Sequence, residues 1–204
     1  MKFYLSSYKL GNQTQTLQKM TSGIIGYIPN ALDFSKADPA KRALHITADM
    51  DSLREIGLMP EMLDLREYFG NSSSLRKKLH ELGAVWISGG NVFVLRQAMK
   101  LSGFDEILKD LLPTDFVYGG YSAAGCVLSP SLNAYAIVDD ATDLPYTEQR
   151  DVIWDGLGLI DCAFLPHFDS DHPESAVIAK EVEYCTEHSI PFKTLRDGDV
   201  LIID

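Results

Sequence analysis

Short apolar runs alternate along the chain with longer stretches whose apolar residues recur every three to four positions. Lys2–Ser6 (KFYLS) reads as a first strand, and Gly11–Met20, polar with scattered apolar residues, as a helix. Gly23–Ile28 (GIIGYI) is a second strand, ended by Pro29-Asn30. Pro39–Gly57 predicts a helix with Leu44, Ala48, Leu53 and Ile56 on one face. A short strand is expected over Leu63–Leu65, then an amphipathic helix over Ser73–Leu82 that Gly83 stops. Ala84–Ser88 (AVWIS) is an apolar strand running into Gly89-Gly90-Asn91. Helices over Val92–Leu101 and Asp105–Leu112 follow; Pro113 breaks the pattern, and Phe116–Tyr118 is the next strand, left through two glycines. Strands at Ile160–Leu165 and Phe192–Leu195 enclose a helix over Pro173–His188, and Asp197-Gly198-Asp199 turns into a last strand, Val200–Ile203.

Strands alternating with helices predict an α/β fold, a three-layer sandwich around a mostly parallel sheet. Ligands bind such sheets beyond the carboxyl ends of the strands. GGN (Gly89–Asn91) and GGYSAAG (Gly119–Gly125) both follow apolar strands, so both should lie on that edge.

Composition narrows the function. A length of 204 residues suits one domain over 1–204, and 46% apolar residues suffice for a core. A net charge of -11 argues against nucleic acid or an anionic membrane as partner. Cys126, Cys162 and Cys185 form no CxxC pair, which suits a reducing compartment. The N-terminal residues lack a signal-like apolar core, and no window approaches 18 uninterrupted apolar residues, so a cytoplasmic protein is expected.

Ser122 carries the candidate chemistry. A serine on a sharp strand-to-helix turn holds its hydroxyl over the sheet edge, usually within G-x-S-x-G. Here the run is Gly120-Tyr121-Ser122-Ala123-Ala124-Gly125, with the second glycine one residue late. The pattern alone fits a nucleophile and a helix-capping serine equally. A serine needs a base, and His167 in LPHFDSDHP follows the apolar run Ala163–Leu165 toward the same edge; His172 is its rival. For the acid that orients the base, Asp197 and Asp143 are both candidates, with Asp169 a third. The N–H groups of Ala123 and Gly90 are candidate oxyanion donors. The HFDSDH run offers possible metal ligands in His167, Asp169, Asp171 and His172, but its spacing matches no helical HExxH or EF-hand loop, so no metal or other cofactor is expected. Cys126, one turn past the serine, reads as a core residue.

WISGGNVFVLRQAM, the GYSAAG elbow, ATDLP, LPHF and the terminal LRDGDVLIID together resemble the peptidase E family of serine peptidases, related to cyanophycinase. The resemblance implies a class I glutamine amidotransferase-like fold, Ser122 as nucleophile, His167 as base, Asp197 or Asp143 as relay acid, and Gly90 with Ala123 as oxyanion hole. It implies a short peptide as the substrate, a dipeptide in the better-known relatives, and leaves a homodimer open. Those relatives take an N-terminal aspartate and hold it with an arginine after the histidine segment. This chain has no arginine between His167 and Phe192, and it has Ala124-Gly125 where the family typically has Gly-Ala. Another hydrolase on this scaffold, an esterase or a cyanophycinase-like enzyme, and an inactive binding module are the alternatives.

Overall fold

The computed structural model describes residues 1–21 and 23–204. Its strands are β1 (Lys2–Ser6), β2 (Ile24–Ile28), β3 (Met59–Met62), β4 (Ala84–Ile87), β5 (Val117–Tyr121), β6 (Ala163–Leu165), β7 (Phe192–Thr194) and β8 (Val200–Ile203). Its helices are α1 (Thr14–Met20), α2 (Pro39–Glu55), α3 (Ser72–Leu82), α4 (Val92–Ser102), α5 (Phe104–Leu111), α6 (Ala123–Cys126) and α7 (Ser175–Glu187). Six strands form one sheet in the order β3-β2-β4-β5-β1-β8. All its pairings are parallel except that of β8 with β1. β6 and β7 pair in parallel as a separate two-stranded sheet.

Apart from Lys2 and Ser6 at the two ends of β1, the interior strands hold only apolar, aromatic and glycine residues, because both faces of the sheet are covered. On one face Leu17 of α1 and Leu53 of α2 pack with Tyr4, Ile25, Tyr27 and Trp86. On the other, α3, α4 and α5 bury Leu75, Leu79, Phe93 and Phe104 against Leu5, Val85 and Ile87. The result is the three-layer, mostly parallel α/β sandwich expected from the alternation. Local signals set the helix ends. Asp38 accepts from the N–H groups of Ala40 and Lys41 at the start of α2, Asn91 accepts from those of Phe93 and Val94 at the start of α4, and Gly83 closes α3 in the left-handed region at φ 70°.

Three expectations are corrected. The strand placed at Leu63–Leu65 lies earlier, at Met59–Met62. This edge strand carries Pro60, and the chain then turns into a 3-10 helix that Asp64 caps. The α2 face is only half the one expected: Leu53 is buried and Ile56 packs beside it, but Leu44 is 70% exposed, Ala48 is exposed and Asp49 is buried instead. Finally, β5 does not end at Tyr118. It runs on through Gly119 and Gly120 to Tyr121. A β-carbon on Gly120 would stand 2.5 Å from the Ile87 carbonyl oxygen, and one on Gly119 2.9 Å from the Trp86 ring. Gly119 makes room for β4, and Gly120 for both β4 and the methyl of Ala124 in the turn that follows. Among the described residues no helix is long and apolar enough to cross a membrane.

Candidate active site

The turn from β5 into α6 sets Ser122 at φ 51°, ψ -111°. A non-glycine residue there is strained by about 1–3 kcal/mol. The strain is held by hydrogen bonds on both sides: the Ser122 N–H donates to the Ser6 carbonyl at 3.1 Å, and its own carbonyl accepts from Gly125 N–H at 2.8 Å and Cys126 N–H at 3.1 Å. The side chain makes no capping hydrogen bond. The hydroxyl is therefore not spent on the helix, and Ser122 lines a cleft of about 390 Å³ together with Gly89, Gly90 and His167.

Small residues let the turn close. A β-carbon on Gly125 would meet the Phe164 ring at 2.5 Å, whereas Ala124 packs its methyl toward Gly120. This accounts for the order Ala124-Gly125 in this chain. Gly125→Ala should cost about 1–3 kcal/mol through overpacking and lower the thermal midpoint by several degrees, read in a melt of the purified variant.

His167 follows β6 and is itself at φ 60°. Its side chain is 2% exposed, and its Nδ1 lies 2.7 Å from Asp197 Oδ1. An ionised carboxylate only accepts, so Nδ1 carries the proton and Nε2 keeps its lone pair. The β6–β7 pairing explains the meeting. Leu165 stands opposite Thr194, so the two chains leave the sheet side by side, His167 two residues on and Asp197 three. Ser7, at the end of β1, ties the pair together: its hydroxyl accepts from the His167 N–H at 2.8 Å and donates to Asp197 Oδ1 at 3.0 Å. Burial pulls the His167 imidazole below its usual 6.5, while the Asp197 hydrogen bond works the other way and His172 adds to the lowering.

The other acids lie elsewhere. Asp143 lines the cleft, but its carboxylate accepts from the Ser35 N–H at 2.9 Å and from the Ser35 hydroxyl. Asp169 pairs with Arg196. Asp197 is thus the carboxylate bonded to the histidine, and Asp143 is not. Gly90, at φ 139°, has its backbone against Ala31, where a β-carbon would fall 2.3 Å from the carbonyl oxygen. Gly90 and Ala123 both line a small cavity beside Ser122. Cys126 is buried, which together with the nearby Glu181 and Asp139 pushes its thiol well up, and it donates to the Phe164 carbonyl at 3.4 Å.

Sequence reasoning named His172 only as a rival base or a metal ligand, and it missed Tyr8, Glu174, Lys9 and Asp49. His172 stacks on His167 with ring centroids 3.7 Å apart and planes 13° from parallel, and Tyr8 meets both rings edge-on. Ligand atoms of His167, His172 and Glu174 lie within 4.8 Å of one another. Imidazole lone pairs lie in the ring plane, so stacked rings do not converge on one ion, and the set does not fit a metal as it stands. Across the cleft, buried Asp49 accepts from Lys9 Nζ at 2.7 Å, the Tyr27 hydroxyl at 2.9 Å and the Tyr121 hydroxyl at 2.8 Å. His45 Nε2 lies 2.6 Å from the same Tyr121 hydroxyl. This network anchors the residue immediately before Ser122. Only Ser7 and Tyr8, just beyond an apolar strand, carried a signal of their position.

The sequence profile of peptidase family S51 matches residues 7–204. The chain belongs to peptidase family S51. It is 29% identical over 127 residues to an uncharacterized peptidase of Listeria monocytogenes serovar 1/2a, a match covering 62% of this chain and 58% of that one. It is 28% identical over 132 residues to peptidase E of Streptomyces coelicolor, covering 62% and 51%. The chain thus spans a little over half the length of these curated relatives. The fold superposes on a protein from Listeria monocytogenes EGD-e named for peptidase E, with TM-score 0.74, 20% identity, and 99% and 97% of the two chains covered. A peptidase from an acI-B1 Actinobacterium matches with TM-score 0.67 and 14% identity, covering 99% of this chain and 82% of the other.

Proposed function

We propose that this S51 family member is a serine peptidase acting on short peptides, of dipeptide size. The observation that carries the reading is the pairing of Asp197 with His167 Nδ1 at 2.7 Å beside a strained, uncapped Ser122 in one cleft. Ser122 Oγ attacks the scissile carbonyl carbon as His167 Nε2 takes its proton. The carbonyl oxygen becomes an oxyanion facing the N–H groups of Gly90 and Ala123. His167 then gives the proton to the leaving nitrogen, the C–N bond breaks, and an acyl group stays on Ser122. Water attacks the ester, its proton passing to His167, which returns it to Ser122 Oγ as the ester C–O bond breaks and the free acid departs. Asp197 holds the tautomer and stabilises the imidazolium at each transfer, with Ser7 fixing both partners. No step calls on a metal or cofactor.

A panel of free dipeptides, read by mass spectrometry for the released amino acids, tests the reading. Hydrolysis lost in Ser122→Ala and His167→Ala supports it; a folded protein that cleaves none of them contradicts it.

The base must be neutral to act, and burial lowers its pKa. The acid limb of kcat/KM against pH should therefore lie below 6.5. Asp197 favours the charged imidazole, so Asp197→Asn should move the limb lower still. A pH–rate profile of both proteins checks this, and a wild-type limb above the ordinary histidine value would count against His167 as the base.

A further inference from the structure

Helix α7 turns Ile178, Glu181 and Cys185 inward, a stripe of i, i+3 and i+7 positions with a carboxyl at its centre. Glu181 is 1% exposed, and its Oε2 has no hydrogen-bond partner among the described residues. A polar atom buried this deeply is costly unless something comes to meet it. Glu181 lines the cavity of about 20 Å³ that Gly90, Ser122 and Ala123 share beside the elbow, with room for one water-sized group. In acyl transfer that group is the oxygen of the attacked carbonyl. The other titratable groups lining the cavity are Cys126, Tyr135, Asp139, His167 and Glu174, and Cys185 follows one turn on along α7. Most of these are engaged elsewhere. Asp139 accepts from the Val92 N–H at 2.7 Å at the start of α4. Cys126 and Tyr135 both donate to the Phe164 carbonyl, and His167 is paired with Asp197. Among the described residues no lysine or arginine lines the cavity.

An ionised Glu181 would be an unpaired buried charge, set against the negative charge that the reaction develops. A protonated carboxyl instead carries one O–H donor, and the surroundings hold it in that form. Burial, then the Asp139 and Glu174 charges, push the Glu181 carboxyl up to about 8. Asp139, pushed up to about 7 by burial with Glu174 adding, ionises first, and its charge keeps the Glu181 proton on longer. We propose that the carboxyl O–H of Glu181 is a third donor to the oxyanion, beside the N–H groups of Gly90 and Ala123. The proposal rests on the peptidase reading for the oxyanion itself. The donor has no partner to give up when the substrate arrives, so it meets the developing charge without reorganisation. Its hydrogen bond tightens as the tetrahedral oxygen becomes negative. The proton is on Glu181 again when the C=O re-forms, so the overall reaction is unchanged. Above about 8 Glu181 loses its proton; the oxyanion then loses a donor and gains a repelling neighbour. Turnover needs His167 neutral and Glu181 protonated, with an acid limb set by the first and an alkaline limb by the second.

The rate at which a neutral fluorophosphonate ester labels Ser122 tests this without a titrating substrate, because the phosphoryl oxygen takes the place of the oxyanion. Against pH the wild-type rate should fall on the alkaline side with a midpoint near 8. Glu181→Gln, whose amide donates but does not ionise, should lose that limb and react within about 10-fold of the wild-type optimum. Glu181→Leu, with no donor, should lose the limb and react about 10²- to 10³-fold more slowly. Thermal melts confirm that each variant is folded. A wild-type rate that stays level well above about 8, a limb that survives in Glu181→Gln, or Gln and Leu variants slowed alike would each overturn the donor, while the labelled serine leaves the hydrolase standing. A folded wild-type protein that takes no label at any pH removes the nucleophile and the oxyanion with it, and so overturns both readings. Should Glu181→Gln not fold, infrared titration of the wild-type protein decides. A protonated-carboxyl C=O band that disappears as pH rises through about 8 supports the donor, and the lack of any such band above about 7 overturns it.

Discussion

Ser122→Ala should lower kcat on any cleaved peptide by roughly 10⁴- to 10⁶-fold, as removal of a serine nucleophile does in other hydrolases. Its thermal midpoint should hardly change. The two halves of the expectation have different causes. The hydroxyl caps no helix N–H, so its loss removes no structural hydrogen bond. The backbone strain at φ 51° remains with alanine. A serine kept for its cap predicts the reverse pattern, a loss of about 1 kcal/mol of stability with activity intact. Steady-state kinetics and a thermal melt on one preparation separate the two.

The second large effect discriminates between the two acids. Asp197→Asn should lower kcat by about 10³- to 10⁴-fold, since an amide offers His167 Nδ1 a donor as readily as an acceptor and the productive tautomer is lost. Asp143→Asn should change kcat by less than about 10-fold, because that carboxylate is bonded to Ser35 rather than to the base. Its effect should fall on KM, through the loop that borders the cleft. Kinetics of the two variants side by side decide the assignment. A collapse of kcat in Asp143→Asn with Asp197→Asn active would require a rearranged site.

The contrast between these acids shows what can be read from sequence and what cannot. His167 and Asp197 each follow an apolar run, and the rule that parallel strands deliver their ligands at the carboxyl edge was enough to bring them near one another. The parallel pairing of Leu165 with Thr194 then sets the contact. Asp143 lies between Val138 and Ile160, where the chain forms no strand or helix, and periodicity says nothing about where such a segment goes. Acids inside helical patterns mislead for another reason. Charged residues within helical patterns usually face solvent, yet Asp49 and Glu181 are 3% and 1% exposed. Asp49 is buried because Lys9, Tyr27 and Tyr121 bond to it, and three residues so far apart in sequence leave no local trace. The glycines of β5 are legible as a tight place, but only the neighbouring strand shows that the constraint is a crowded sheet.

The central claim is that Ser122 is a nucleophile activated by His167. Fluorophosphonate labelling of the purified protein, followed by peptide mass mapping, tests it most directly. The account predicts one adduct, on Ser122, that is absent in Ser122→Ala, nearly absent in His167→Ala and strongly slowed in Asp197→Asn. A folded protein that takes no label, or one whose Ser122 labels equally well without His167, would contradict it.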